Sequence, residues 1–372
     1  FKRYDDLVWI SEKIQSLVLA SKVPADLEEA IRRSVAQLQS RTGADRFALR
    51  SSAIGEDTQV SFAGQYRSLL NVRGDEVVRR YREVLAGKFT PKAIYYQLSH
   101  AFRESELAMC VGCISMVDAA ASGVVYTRNP VASSDDCLLV NSVFGLGQLL
   151  VDGTLTPDVF RVSRESGELV ESQCARKAVR LVMQPDSGTV VEPVKEARQV
   201  APSLAPASLR ELARMAMRLE EHYDAPQDIE WALDREGRLF VLQTRPLKLV
   251  ERLAESEEPD LSGLEAIMFG GATVCPGAGC GPVHRASSSA DLSGVPEGCV
   301  LIAPHPFPGL FAALGRIAAL VTEVGGVARH MATLAREYGI PTIMGASGAS
   351  RVPVGEMVTV DATHAVIYSG AH

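Results

Sequence analysis

The sequence predicts a mixed α/β chain in two domains: residues 1–250, an acidic linker at 251–264, and a compact α/β block over 265–372. Three observations lead there. Helical and strand-like apolar periodicities interleave through the first 250 residues. Between Glu251 and Asp260 five acids and one arginine crowd into ten residues, with Pro259 and Gly263 close by, the composition of a solvated linker. Beyond it, turns such as Cys275-Pro276-Gly277 and Pro304-His305-Pro306 alternate with short Val/Ile strands.

Composition agrees. The chain has 372 residues, 47% of them apolar and 22% charged, which excludes a disordered tail, a collagen-like rod and a small disulfide scaffold. A net charge of −7 argues against a broad basic surface for nucleic acid. No apolar run reaches the roughly 18 residues of a membrane helix, and no hydrophobic signal segment opens the chain, so neither membrane nor nucleic acid is an expected partner. The first residue is Phe1, so the chain is expected to be processed or part of something longer.

Taken in order, Leu27, Ala30, Ile31, Val35 and Leu38 predict a helix over 25–40, ended by Gly43. A short strand, Phe47 to Arg50, enters a polar loop from Ser51 to Asp57, and a second polar segment runs Ser61 to Gln65. Helices are expected over 75–86 and, with Pro91 in the first turn, over 91–101. Strands follow at 109–117, 123–128, 137–143 and 157–163, then a long amphipathic helix at 207–223. Residues 228–234 and 238–244 predict a hairpin turning at Arg235-Glu236-Gly237. In the second block a strand over 317–321 leads into a helix over 327–338. The seven cysteines include one Cys-x-x-Cys, Cys110 and Cys113, inside an apolar strand and with no second pair at zinc spacing. They are expected to be reduced core thiols in a cytoplasmic protein.

Two regions carry chemistry. Thr322 to Ala332 runs from a strand end through Gly325-Gly326 and Arg329 to His330 in the first turn of a helix. A helix N-terminus favours phosphate, and glycines leave room for a bulky substituent, so a histidine there is suited to carry a phosphoryl group; it could also simply cap the turn. In the hairpin, residues two apart share a face, so Asp228 converges with Glu230, and Gln243 with Arg245. Carboxylates and an amide oxygen suit Mg²⁺, and an arginine suits phosphate; a salt-bridged surface hairpin is the plainer alternative.

The pattern T-x-x-G-G-x-x-x-H-x-A-x-x-A-R-E-x-G-I-P, from Thr322 to Pro341, resembles the swivelling phosphohistidine domain of the phosphoenolpyruvate-utilising enzymes. Gly277-x-x-x-Gly281 and Val360-Asp361-Ala362 match as well. Arg50-Ser51-Ser52, Gly145-Leu146-Gly147-Gln148, Asp228-x-Glu230 and Gln243-x-Arg245-Pro246 resemble the same family's ATP-grasp nucleotide-binding domain. The resemblance runs from about residue 20 to residue 370. It implies that His330 is the phosphoryl carrier, supported by Thr322, Gly325, Gly326 and Arg329. It further implies that Glu230 and Gln243 hold Mg²⁺ beside Asp228, that Arg50 and Arg245 contact ATP phosphates, and that adenine lies near Met116 and Val117.

Some positions depart from the family pattern. Arg329 stands where a small hydroxyl or thiol residue is usual, Gln148 replaces a glutamate, and Ile114 falls where glutamine is common. No Gly-Gly-Lys segment precedes Phe1, so the ATP-grasp domain is expected to be incomplete at its N-terminus and to bind ATP poorly alone. A nucleotide domain followed directly by a histidine domain resembles the order in phosphoenolpyruvate synthase and pyruvate phosphate dikinase. The implied activity is transfer from Mg-ATP to His330 and on to an acceptor, pyruvate foremost, bound by a domain outside this chain. A phosphotransferase for another small molecule such as an antibiotic, as in rifampin phosphotransferase, and a non-catalytic nucleotide-binding or phosphocarrier module are the alternatives.

Overall fold

The computed structural model describes residues 4–53, 68–99, 108–130, 135–247, 249, 261, 263–307, 309–325 and 330–371. The chain divides into two compact units, one of residues 1–118 with 181–191 and the other of residues 119–180 with 192–372.

In the first unit, α1 (Tyr4–Ala20), α2 (Ala25–Thr42), α3 (Val77–Ala86) and α4 (Pro91–Ser99) accompany β1 (Arg46–Ala53), β2 (Leu69–Arg73) and β3 (Met109–Ser115), ordered β2-β1-β3. Val35, Phe47, Leu49, Val72, Val77 and Val84 form its core. Helix α2 ends as its sequence anticipates, with Gly43 left-handed at φ 69° and its N–H donated to the Gln39 carbonyl. The Asn71 amide donates to the carbonyls of Gln184 and Gly188, both at 2.7 Å, which fastens the 181–191 segment to this unit. The sequence does not announce helix α1, because Trp9, Leu17 and Leu19 stay exposed and blur its amphipathic pattern.

Two expectations change here. Ser51, Ser52 and Ala53 continue β1 instead of opening a loop, since they pair with Val111, Cys110 and Met109 of β3. Ile54 to Asp57 and the Ser61–Gln65 segment lie outside the described residues. Nor are all the cysteines core thiols: Cys110 and Cys174 are exposed, and Cys113 and Cys280 are half-buried. Strand β3 lies at the sheet edge, and positions three apart on a strand point to opposite faces. Cys113 therefore packs against the core while Cys110 meets solvent, and the pair does not converge on a metal. No disulfide joins any of the seven.

The second unit holds a six-stranded antiparallel sheet: β4 (Ala119–Tyr126), β5 (Cys137–Phe144), β6 (Asp158–Ser163), β7 (Leu169–Gln173), β10 (Gln227–Asp234) and β11 (Leu239–Pro246), ordered β11-β10-β4-β5-β6-β7. A separate two-stranded sheet pairs β8 (Val179–Met183) with β9 (Thr189–Pro193), and α5 (Gln148–Val151) follows β5. One face of the six-stranded sheet, with Val125, Val140, Phe160, Ile229 and Trp231, is closed by Leu209, Leu212, Ala213 and Ala216 of α6 (Pro206–Tyr223). On this side the fully buried Lys177 pairs with Asp158, which also accepts from the Ser203 N–H at 2.7 Å and the Ser203 hydroxyl at 2.6 Å. That fixes the segment leading into α6. Gly123 is required opposite β5, because a Cβ there would lie 1.9 Å from the Asn141 carbonyl oxygen.

An eight-stranded mixed sheet draws on residues 266–369. Its strands are β12 (Ala266–Phe269), β13 (Ala272–Cys275), β14 (Ala278–Arg285), β15 (Val300–Ala303), β16 (Ala319–Thr322), β17 (Thr342–Met344), β18 (Met357–Asp361) and β19 (Val366–Ser369), with helix α7 (His330–Glu337) between β16 and β17. The order is β12-β19-β18-β14-β15-β16-β17-β13, and β14 through β17 are parallel. Among the described residues no helix is long and apolar enough to cross a membrane.

Burial pushes the Cys113 thiol up to about 11, so it stays protonated near neutrality. Timed alkylation with iodoacetamide followed by peptide mass spectrometry is expected to modify Cys110 well before Cys113. Equal rates would contradict the opposed orientation of the two thiols.

Candidate active site

The β10–β11 hairpin is closed by Asp234, whose Oδ1 accepts the backbone N–H groups of Glu236 at 3.0 Å and Arg238 at 2.7 Å. A side chain that caps its own turn fixes the strand register. Strand pairing then sets Asp228 opposite Arg245 and Glu230 opposite Gln243. The register slips between Glu230 and Trp231, leaving Leu242 as an extra residue in β11 beside Gln243.

On its other side β10 pairs with β4, so two rows of side chains cross the sheet on the face turned away from α6. One runs Gln243, Glu230, Val124, Asn141; the other runs Arg245, Asp228, Tyr126, Leu139. Residues opposite one another in an antiparallel pair share a face. The four hairpin residues singled out in the sequence therefore stand together.

Within this group Arg245 donates through Nε at 2.8 Å and Nη2 at 2.6 Å to one oxygen of Asp228, whose side chain is only 9% exposed. Burial raises the Asp228 carboxyl above its ordinary value. The charge and hydrogen bonds of Arg245 pull the other way, Glu230 adds an upward push, and Arg336 a downward one. For Arg245, burial opposes the charge, but the Asp228 carboxylate more than offsets it and holds the guanidinium above its usual value. Glu230 and Gln243 are half-buried and both engage other groups.

Other sequence-predicted residues stand as follows. In the first unit Arg50 lies on β1 opposite Gly112 of β3, while Met116 and Val117 follow β3, with the Met116 N–H donating to the Arg46 carbonyl at 2.9 Å. Thr322 ends β16, fully buried, and its hydroxyl donates to the Val324 carbonyl at 2.9 Å. Gly325 has φ 151°, and a Cβ there would sit 2.8 Å from the Met344 Cβ, so a larger residue is shut out. The backbone of His330 opens α7. Gly326 and Arg329 lie outside the described residues.

Sequence reasoning missed three positions on the sheet face. Tyr126, 3% exposed, is the cross-strand neighbour of Asp228. The Ser122 hydroxyl donates to the Gly145 carbonyl at 2.6 Å, which pins the Gly-Leu-Gly turn to this face. Asn141 is fully buried, and neither its amide oxygen nor its nitrogen has a hydrogen-bond partner among the described residues. The signal for it was a polar residue inside the apolar run Leu138 to Val143.

No group of three or more His, Cys, Asp or Glu side chains among the described residues could hold a metal ion. A magnesium–nucleotide site asks for less, since Mg²⁺ is commonly held by one or two carboxylates together with substrate phosphates. The paired oxygen donors Glu230 and Gln243 fit that need, and the orphaned Asn141 amide extends the same row.

The family described as "Pyruvate phosphate dikinase, AMP/ATP-binding domain" matches residues 2–264, and "PEP-utilising enzyme, mobile domain" matches residues 295–365. A probable phosphoenolpyruvate synthase of Pyrococcus abyssi is 33% identical over 370 residues, covering 96% of this chain and 45% of that protein. The phosphoenolpyruvate synthase of Pyrococcus furiosus is 32% identical over 372 residues, covering 97% and 46%. For that of Deinococcus radiodurans the identity is 34% over 366 residues, covering 95% and 46%. The chain thus spans just under half the length of these relatives.

Truncating Arg245 would strand a buried carboxylate, a loss of about 3 kcal/mol or more. Arg245→Ala is expected to lower the urea midpoint accordingly. The double variant Asp228→Leu/Arg245→Met, which removes both charges, should recover most of that loss. An unchanged midpoint in the single variant would contradict a buried pair.

Proposed function

The chain belongs to the PEP-utilising enzyme family, and on that premise we propose that it is the nucleotide-binding and phosphohistidine portion of a phosphotransferase of the phosphoenolpyruvate synthase type. Residues 1–250 would act as an ATP-grasp nucleotide domain and 265–372 as the mobile histidine domain, with 251–264 as the hinge between them. The observation that carries the reading is the polar sheet face, where Asp228, Glu230, Gln243 and Arg245 converge by strand register. The sequence pattern from Gly325-Gly326 to His330 supports it as well.

Glu230 and Gln243 would hold Mg²⁺, which when bound offsets the charge of the polyphosphate. Arg245, held in place by Asp228, presents its remaining N–H groups to phosphate oxygens, and the planar guanidinium suits that geometry. Arg50 supplies a second phosphate contact, and Met116 and Val117 neighbour the adenine. His330, at the start of α7, is the nucleophile: its imidazole nitrogen attacks the β-phosphorus in line, the bond to the AMP oxygen breaks and AMP leaves. Water then takes the γ-phosphate from the pyrophosphoryl-histidine as inorganic phosphate, so that one phosphoryl group stays on the imidazole. The Thr322 hydroxyl closes the turn at the end of β16 by donating to the Val324 carbonyl, and Gly325 follows where a Cβ would meet Met344. Pyruvate is the proposed acceptor, bound outside these two domains. Seven cysteines without a disulfide support a reducing, cytoplasmic setting.

Incubation with Mg²⁺ and [β-³²P]ATP is expected to leave acid-labile label on the protein, and His330→Ala to abolish it. Label that persists in His330→Ala would sink the mechanism. ATP binding with no phosphate on the wild-type chain would point instead to a regulatory module.

A further inference from the structure

Asn141, in the middle of β5, lies fully buried on the polar face of the six-stranded sheet, and neither half of its amide is hydrogen-bonded among the described residues. Strand geometry explains why. Its cross-strand neighbours are Val124 of β4 and Val159 of β6, and two residues away along β5 stand Leu139 and Val143. The four nearest side chains on that face are therefore all apolar. Other buried polar groups of this sheet do find partners. The Ser122 hydroxyl donates to the Gly145 carbonyl, the Thr127 hydroxyl accepts the Gln227 N–H at 2.8 Å, and the Ser142 and Ser203 hydroxyls stand 2.8 Å apart. The Trp231 indole N–H is unpaired too, but that ring fills the core beneath α6 with a large apolar surface. An asparagine contributes no such surface. Leucine has nearly the same size and would fill the place without a desolvated amide.

We propose that Asn141 is a phosphate-binding residue of the nucleotide face, its amide left unpaired by the protein and paired by a bound polyphosphate. The proposal rests on the nucleotide reading above. Asn141 ends the row Gln243, Glu230, Val124, Asn141. Strands lie about 4.8 Å apart, which sets Asn141 about 10 Å from Glu230 along that row, with the short Val124 side chain between them. A triphosphate spreads its anionic oxygens over a comparable length. A polyphosphate whose metal sits at Glu230 and Gln243 extends across Val124 and meets Asn141 at its far end. There the amide NH₂ donates to a non-bridging oxygen, and the amide oxygen accepts from water in the metal's shell. No bond forms or breaks at Asn141; it binds and orients. Its backbone is held between β4 and β6, and Gly123 lets β4 close on its carbonyl, so the amide is presented from a fixed position. Burial makes the contact matter in both directions: unmade, the amide is a cost to the fold, and made to an anion away from water it is strong.

The test uses the full chain and the variants Asn141→Leu and Asn141→Ser. Two probes are titrated calorimetrically, Mg-ATP and magnesium tripolyphosphate, and urea midpoints are measured with and without Mg-ATP. Free of ligand, Asn141→Leu should unfold at the same urea concentration as the wild type or a higher one, because it removes a desolvated amide. Its affinity for both probes should fall about tenfold or more, the scale of one hydrogen bond to a charged group. The rise in midpoint that Mg-ATP gives should shrink in step. Should Asn141→Leu fail to fold, Asn141→Ser, too short to span the same contact, decides by the same loss of affinity. Unchanged affinity for both probes in a folded variant would overturn the proposal and leave Asn141 a residue of the fold alone. A loss confined to Mg-ATP would overturn it as well, since Asn141 would then meet the nucleoside and not the phosphates. A wild type that binds neither probe would defeat the nucleotide reading and the proposal with it, whereas wild-type binding that the variants keep defeats the proposal alone.

Discussion

A carboxylate taken out of water and answered by a guanidinium, Asp228 against Arg245, is the constraint on which the polar face depends. Neither charge is tolerable there alone, so the β10–β11 register must be the one that sets them opposite each other. The same register carries Glu230 to Gln243 two positions further on. The Asp234 turn and the bulge at Leu242 are the local devices that hold it, one at the hairpin end and one beside the polar pair.

The two faces of the six-stranded sheet divide the labour. Toward α6 lie Trp231, Phe160, Val125 and Val140, a dry core beside which the buried Lys177 and Ser203 both bond Asp158. Toward the opposite face lie Asp228, Glu230 and Asn141, whose hydrogen-bonding capacity exceeds what that core could use. Alternation along each strand makes this possible in eight residues, Gln227 to Asp234, with no extra loop. A rigid apolar underside supporting a polar upper side is a sound base for positioning a polyphosphate.

Much of this was legible in the sequence. Helices α2, α3, α4 and α6 and the β10–β11 hairpin fall where periodicity and turn residues place them, because each is specified by neighbours close in the chain. The convergence of Asp228 with Glu230 and of Gln243 with Arg245 was readable for the same reason: it follows from the two-residue strand period. What escaped depends on contacts distant in sequence. Tyr126 belongs to the site only because β4 lies beside β10, a separation of about a hundred residues that no local pattern encodes. Asn141 needs one strand more. Ser51 to Ala53 looked like a loop because polar side chains dominate them, and only pairing with β3 makes them strand. Cys110 was misjudged on the same ground, since an apolar run says nothing of which strand sits at a sheet edge.

The proposed site for nucleotide with Mg²⁺ is the row through Glu230 and Gln243. Calorimetric titration of ATP with and without Mg²⁺, on the wild-type chain and on Glu230→Gln, puts it to the test. The wild type should bind ATP more tightly when Mg²⁺ is present, and Glu230→Gln should lose that gain while its magnesium-free affinity stays the same or rises. Equal enhancement by Mg²⁺ in both proteins would contradict the claim.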